Sequence, residues 1–235
     1  MIDLFELLEE VKIDKNLAIT CTKSGNHAGA VEILDNVVKK LKPHVPLVTD
    51  GLNPPTKLEK QVAAQLSDCY GSWGGALRRN KQYDKSVEAY DSGFKIESHE
   101  RYGIVNSYNL VQRLVARILA FHSTLVSPES LEQLFVPEDS SVLRELGVAK
   151  QVVLNQLKGP RGGDLWGMAD KATILLLLGE YEDASDAWDG FMASKPSDDL
   201  ITSTKDMVTS LTHKFAEGEM KTALQAAITS LTPVR

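Results

Sequence analysis

The sequence lacks the motifs that most metal sites and enzymes carry. Its two cysteines, Cys21 and Cys69, form no CxxC pair, and its five histidines include no HExxH motif, so the common zinc-binding patterns are excluded. It has neither the strained nucleophile turn of serine hydrolases nor the glycine fingerprint of dinucleotide-binding folds. We therefore expect no catalytic residue, no metal and no cofactor.

Long apolar runs and a surplus of positive charge are missing as well. The most apolar run, residues 174–178, is followed closely by Glu180 and is too short to cross a bilayer. The chain does not open with the basic start and apolar stretch of a secretory signal. Its 26 basic and 32 acidic residues give a net charge of −6, which offers no basic footprint for a phosphate backbone. We expect a cytoplasmic protein with reduced cysteines that binds neither membranes nor nucleic acid, and the sequence does not indicate an oligomeric state.

Aromatic residues are also scarce, at 6%, although 43% of the chain is hydrophobic. Leu, Ala and Val supply much of that apolar content, which favours an all-helical protein. A chain of 235 residues is long enough to bury one continuous core. The composition predicts a single all-α domain over residues 1–235.

Two segments share one helix–turn–helix pattern. In the first, residues 70–98, large and small side chains alternate at helical spacing, at positions Tyr70, Trp73, Gly74, Leu77, Tyr83, Ser86, Tyr90 and Gly93. The second, residues 168–196, repeats this phase with Ala172, Leu175, Gly179, Ala184, Trp188 and Pro196. Weaker copies at about residues 14–43 and 207–233 complete four predicted helix pairs.

Residues 101–158 do not follow the repeat and are predicted to form an irregular helical insert. Their apolar spacing predicts one long helix over residues 102–122. A serine followed by proline predicts a short helix over residues 127–135, and a further cap predicts a helix over residues 139–157.

The repeated pattern resembles the tetratricopeptide repeat, W-x2-L-G-x2-Y…A-x3-F…P. Two runs, residues 93–106 and 157–181, are similar to the TRAFs-binding, tetratricopeptide-like family. That family forms the central regulatory region of apoptosis-signal-regulating kinases and also occurs in bacterial proteins, often beside signalling or defence domains. The resemblance covers approximately residues 69–214 and implies an α-solenoid of antiparallel helix pairs that binds and regulates without chemistry of its own.

Polar residues on the long middle helix of the insert, and on the first helix of the pair at residues 70–98, are candidates for contacts with a protein partner. The resemblance implies that these helices line a concave groove, where asparagine satisfies peptide backbone groups and arginine pairs with carboxylates. The candidates are Arg78, Arg79, Asn106, Asn109, Arg113 and Arg117, with Trp166 as an apolar anchor. The polar residues also fit a solvated helix face, and Trp166 also fits a core position. We expect Arg113→Glu combined with Arg117→Glu to abolish partner capture without lowering thermal stability.

Two glycine-rich stretches, residues 71–79 and 158–164, have a composition that is also found in anion-binding loops. The first lies within a predicted helix, where glycines usually mark close packing. The second precedes a predicted helix, and its Asp164 stands where an N-cap is expected. We interpret the first as a packing face and the second as a linker.

The acidic residues are concentrated in the C-terminal part. Residues 164–219 hold twelve acidic and four basic side chains, which indicates a solvated acidic face or a surface that orients a basic partner. The sequence predicts a non-catalytic adaptor or regulatory subunit that binds a protein segment in its groove. The alternative is a sensor that binds a small molecule or signalling peptide there, and a buried polar constellation would be needed to favour an enzyme.

Overall fold

The fold was analysed in a computed structural model, which describes residues 3–48, 53–134 and 140–232. Within these ranges the chain forms ten α-helices and no strand, which confirms the all-α prediction. The helices are α1 (Leu4–Lys23), α2 (His27–Leu41), α3 (Lys57–Arg79), α4 (Tyr83–Glu97), α5 (Tyr108–Ala120), α6 (Val142–Lys158), α7 (Leu165–Leu177), α8 (Tyr181–Ala193), α9 (Asp198–Thr212) and α10 (Glu219–Ser230). In the described part, none of them is long and apolar enough to cross a membrane.

The chain divides into two compact units, Met1–Ala116 and Arg117–Arg235. In the first unit α1 packs on α2 and α3 packs on α4, and in the second α7 packs on α8 and α9 on α10. These neighbouring pairs confirm the predicted helix pairing. The first, second and fourth pairs begin earlier than expected, at Leu4, Lys57 and Asp198. The prediction of one domain over residues 1–235 stays a prediction.

Side-chain caps fix where several helices begin. The Thr56 hydroxyl accepts a hydrogen bond from the Glu59 backbone N–H, and the Glu59 carboxylate accepts one from the Thr56 N–H, forming a capping box before α3. This N–H holds the pKa of Glu59 below its usual value. Asn26 and Ser197 cap α2 and α9 with one hydrogen bond each, because their side chains accept from the backbone N–H groups of Gly29 and Leu200.

The predicted helix over residues 102–122 is shorter in the structure, because α5 begins only at Tyr108. Gly103 has a φ of +61°, in the left-handed region that a right-handed helix cannot include. The Asn106 side chain then accepts hydrogen bonds from the backbone N–H groups of Ser107 and Tyr108, just where the helix starts. The prediction was wrong here because apolar periodicity alone does not register a backbone break.

Other parts of the insert are partly confirmed. Residues Pro128–Gln133 form a short 3-10 helix in place of the expected α-helix. The predicted third helix is observed as α6, capped by Ser141, whose hydroxyl accepts from the Arg144 N–H. The predicted end at residue 135 and the predicted start at residue 139 lie outside the described residues.

In the first unit, close helix packing depends on the small residues that the repeat pattern singles out. A Cβ atom on Gly74 of α3 would lie 2.7 Å from the Tyr90 ring of α4. The buried Ser86 hydroxyl donates a hydrogen bond to the Gly74 carbonyl at 2.8 Å. Because the glycine lacks a side chain, the ring of Tyr90 can pack directly onto the α3 backbone.

The second unit has its own core, which includes fully buried Trp188, Phe191 and Leu146. Gly179 follows the last residues of α7 and has a φ of +80°, the left-handed conformation in which many helices end. A parallel β-bridge joins Leu125 to Phe215: the Leu125 N–H donates to the Lys214 carbonyl, and the Leu125 carbonyl accepts from the Ala216 N–H. This bridge ties the segment after α5 to the segment between α9 and α10.

Candidate functional site

Asn109, a predicted partner contact, lies in the interior of the first unit. It is fully buried, and its amide nitrogen donates to the Ser67 carbonyl and hydroxyl, both at 3.1 Å, and to Glu97 Oε1 at 2.8 Å. The Ser67 hydroxyl also donates to Glu97 Oε1. Gly93 makes room for this group, since a Cβ atom there would lie 2.5 Å from the Asn109 side chain. Asn109 therefore joins α5 to α3 and α4.

Arg113, one turn further along α5, is also buried, with 3% of its surface exposed. Its guanidinium carbon lies 3.9 Å from the centre of the Phe94 ring, a cation–π contact. Its Nη1 lies 3.9 Å from an Asp91 carboxylate oxygen. The side chain is thus part of the packing between α4 and α5.

These positions overturn one expectation about the groove. Arg78, Asn109 and Arg113 are buried and do not line an open surface. Helical spacing can show that polar residues share one face of a helix. It does not show whether that face meets solvent or the core, because an exposed polar stripe and a buried polar cluster have the same periodicity. Arg113→Glu would place a second carboxylate near Asp91, so the double substitution with Arg117→Glu is now expected to lower thermal stability.

The remaining polar candidates are partly exposed. Asn106 uses its side chain to cap the start of α5, as described above. Arg117 lies near the end of that helix, and Arg79 at the end of α3 has its Nη1 3.4 Å from the position a Cβ atom on Gly75 would take. Their contact with a partner stays a prediction.

Trp166, the predicted apolar anchor, is exposed over 42% of its surface, so it does not occupy a core position. It stands at the start of α7, where Asp164 accepts hydrogen bonds from the backbone N–H groups of Trp166 and Gly167. Arg161 fixes this cap by donating from Nε to the other Asp164 oxygen at 2.6 Å. The helix start that carries the tryptophan is therefore held firmly.

The same contacts explain the second glycine-rich stretch. Arg161 is buried and donates to Asp164 and to Gln156 Oε1, at 2.6 and 2.8 Å. The carboxylate of Asp164 takes the place at the α7 N-terminus that an anion would need. This arrangement fits a linker that caps α7, as predicted.

An acidic face lies on α8 in the second unit. Four of its acidic side chains are exposed and belong to the outer side of the helix: Glu182, Asp183, Asp186 and Asp189. The buried side of α8 is formed by Ala184, Ala187, Trp188 and Phe191. The acidic concentration seen in the sequence is thus partly a solvated helix face, as expected.

A cleft between α1 and α2 was not anticipated from the sequence. It has a volume of about 450 Å³ and is lined by Asp14, Leu17, Ile33, Asn36, Lys39 and Lys40. Leu17 and the nearby Ile13 are exposed over 52% and 69% of their surfaces. The sequence did carry a signal for this cleft. Ile13 and Leu17 are apolar, lie four residues apart and fall outside the buried stripe formed by Leu7, Val11 and Ala18.

Within the ranges that the structure describes, no three histidine, cysteine or acidic side chains are grouped to hold a metal ion. Both cysteines carry free thiols, as expected. No protein-family model, curated protein or solved structure matches the chain.

Proposed function

We propose that the protein is a non-catalytic adaptor or regulatory subunit that binds a segment of another protein through a tetratricopeptide-like array of helix pairs. Four packed pairs, α1–α2, α3–α4, α7–α8 and α9–α10, support a repeat organisation. The contact of Gly74 with Tyr90 and the burial of Trp188 match the small and large positions of the repeat pattern. A place in a signalling or defence system follows only from the resemblance to the TRAFs-binding family.

The exposed Trp166 is the observation that carries this proposal. Tryptophan is strongly enriched among residues that dominate protein–protein binding, because one rigid ring buries a large apolar area. Here Asp164 and Arg161 hold the backbone that carries the ring, so little backbone freedom is lost on binding. The acidic face of α8 belongs to the same unit and favours a partner segment that carries basic residues.

The buried polar group of Ser67, Glu97 and Asn109 does not favour an enzyme. Its hydrogen bonds connect three helices of one unit, which is what a structural tie requires. We interpret it as a device that fixes how α5 packs, and the proposed function assigns no catalytic role to it.

Affinity purification of the full chain, with mass spectrometry of the bound proteins, tests the proposal. We expect one or a few partners whose capture falls about tenfold or more in Trp166→Ala. Val148→Ala is the matched control, since Val148 is an exposed apolar residue of the same unit, with 50% of its surface accessible. Equal capture by the two variants and the unaltered chain would contradict a role for Trp166 as the anchor.

The sensor alternative has one observation in its favour, the cleft between α1 and α2. Its volume of about 450 Å³ falls in the range of small-molecule sites, and Leu17 and Ile33 give it an apolar wall. A thermal-shift screen of small molecules tests this function, since a ligand that binds only the folded chain raises its melting temperature. The sensor requires a hit whose effect is lost in Leu17→Glu, and a hit unaffected by that change rules this cleft out.

A further inference from the structure

The side of α1 that faces away from α3 exposes two large apolar side chains. Ile13 and Leu17 lie four residues apart on one side of the helix, and 69% and 52% of their surfaces are exposed. Lys15 lies midway between them in the sequence and therefore on the opposite side, where it pairs with Asp68 of α3. In a helical array, a face on which no further helix packs is normally polar. The exposed Ile13 and Leu17 therefore indicate that something covers this face.

The neighbouring side of α2 carries one charge of each sign. Glu32, Asn36 and Lys39 are exposed and follow one another at spacings of four and three residues, so they share one side of α2. Leu17 lines the cleft between the two helices together with Asn36 and Lys39, which joins both sides into a single surface. We call this surface the outer face, and its residues are Ile13, Leu17, Glu32, Asn36 and Lys39.

The outer face is complementary to itself under a two-fold rotation. Glu32 and Lys39 are seven residues apart, and Asn36 lies near their midpoint. Leu17 lies at the level of Asn36, since both line the cleft. A two-fold axis that crosses both helices at this level sets each helix antiparallel to the same helix of a second copy. Glu32 then meets Lys39 of the second copy, Lys39 meets its Glu32, and Ile13 packs on its Leu17.

The outer face is also accessible and large enough for a weak contact. The Lys39 side chain is 69% exposed, and its ion pair with Asp35 lies within its own helix, where an exposed pair contributes little. Helices of 20 and 15 residues, each about 10 Å wide, present roughly 500 Å² on each copy. The total of about 1,000 Å² lies at the lower end for a specific interface and fits a reversible association.

We propose that the outer face of α1 and α2 binds the same face of a second copy of the chain and so forms a two-fold symmetric dimer. Ile13 and Leu17 form the apolar centre of the contact, and the reciprocal pairs of Glu32 with Lys39 fix its antiparallel register. The proposed function does not depend on this dimer, because its anchor Trp166 belongs to the second unit. A dimer of this kind covers the cleft that the sensor alternative would use.

Sedimentation velocity of the full chain over a range of concentrations tests the proposal. We expect a reversible dimer with a dissociation constant on the order of 10 μM. Leu17→Glu should weaken dimerisation at least about tenfold, since it places two carboxylates in the apolar centre of the contact. Lys95→Glu is the matched control, because Lys95 is an exposed residue of α4 and lies outside the outer face.

An exchange of charges tests the register. Glu32→Lys and Lys39→Glu should each weaken self-association about tenfold, because each sets like charges against each other at both ends of the contact. An equimolar mixture of the two variants should recover the dimer, since every lysine of one chain then meets a glutamate of the other. Melting temperatures establish that all variants are folded.

The proposal is overturned if the chain stays monomeric at concentrations about a hundredfold above the expected dissociation constant. It is also overturned if Leu17→Glu dimerises as well as Lys95→Glu, or if mixing the two charge variants does not recover the dimer. If Leu17→Glu does not fold, the mixture of the charge variants decides alone. Loss of the dimer leaves partner capture through Trp166 untouched, so the failure of this proposal and that of the proposed function are distinguishable.

Discussion

At the scale of single residues, burial gives the two cysteines different chemistry. Cys69 is fully buried, and burial raises the pKa of its thiol to about 11, whereas Cys21 is partly exposed. The thiolate is the reactive form, and a raised pKa keeps Cys69 protonated near neutral pH.

We therefore expect a thiol reagent to label one cysteine rapidly in the native protein at about pH 8, and two after unfolding in denaturant. Cys21→Ser should abolish the rapid phase while leaving the labelling of the unfolded chain at one thiol. Rapid labelling of both thiols in the native protein would contradict the burial of Cys69.

Asn109 provides a second prediction at this scale. Asn109→Ala removes the amide that donates to Ser67 and to Glu97 Oε1, and it leaves these buried acceptors with fewer hydrogen bonds. The free energy of unfolding should fall by about 1–3 kcal/mol, measured by denaturant titration. Asn106→Ala is the comparison, since Asn106 is partly exposed and water can replace its bonds to the start of α5. An equal loss in both variants would contradict the difference in burial.

At the scale of helices, the chain shows two kinds of glycine. Gly74 faces the Tyr90 ring, whereas Gly190 of α8 faces open space. A methyl group on Gly74 requires Tyr90 to move, which costs about 1–3 kcal/mol. The same group on Gly190 should stabilise α8 by about 0.5–1 kcal/mol, because alanine loses less backbone entropy than glycine in a helix.

Thermal unfolding of Gly74→Ala and Gly190→Ala tests this contrast, and we expect melting temperatures that shift in opposite directions. A neutral Gly74→Ala would mean that the α3–α4 pair tolerates a wider separation than the structure shows.

The part of the structure that could be predicted from the sequence is the part that depends on local signals. Helix pairing and the cap at Asp164 were predictable, because periodicity, glycine and capping residues act locally. The break at Gly103 and the burial of Arg113 were not, since one depends on a backbone angle and the other on Phe94 and Asp91 of a neighbouring helix. For Trp166 the sequence was compatible with both a core and a surface position, and only the packing of the folded chain shows that the ring is exposed.

At the scale of the whole molecule, net charge is unevenly distributed between the two units. Met1–Ala116 holds fifteen basic and fifteen acidic residues, whereas Arg117–Arg235 holds eleven basic and seventeen acidic ones. The second unit thus carries the whole net charge of −6. Self-repulsion of this kind destabilises the folded state and is weakened by salt.

Asp186→Lys tests this effect, because it reduces the charge of the second unit and places a lysine four residues after Glu182 on α8. We expect it to stabilise the chain by about 0.5 kcal/mol at low salt, with a smaller gain at high salt, measured by thermal unfolding. Asp186→Asn separates relief of repulsion from the new ion pair. A stabilisation that does not change with salt would contradict an electrostatic origin.

The β-bridge between Leu125 and Phe215 bears on how the chain is made. Its two sides are about ninety residues apart, and at a translation rate of 5–20 residues per second the later side emerges roughly 5–18 s after the earlier one. Throughout that interval Leu125 has no Lys214 or Ala216 to pair with. The bridge of the second unit therefore forms only after residues 214–216 have been made, and a chaperone that covers the segment around Leu125 would be most useful before then.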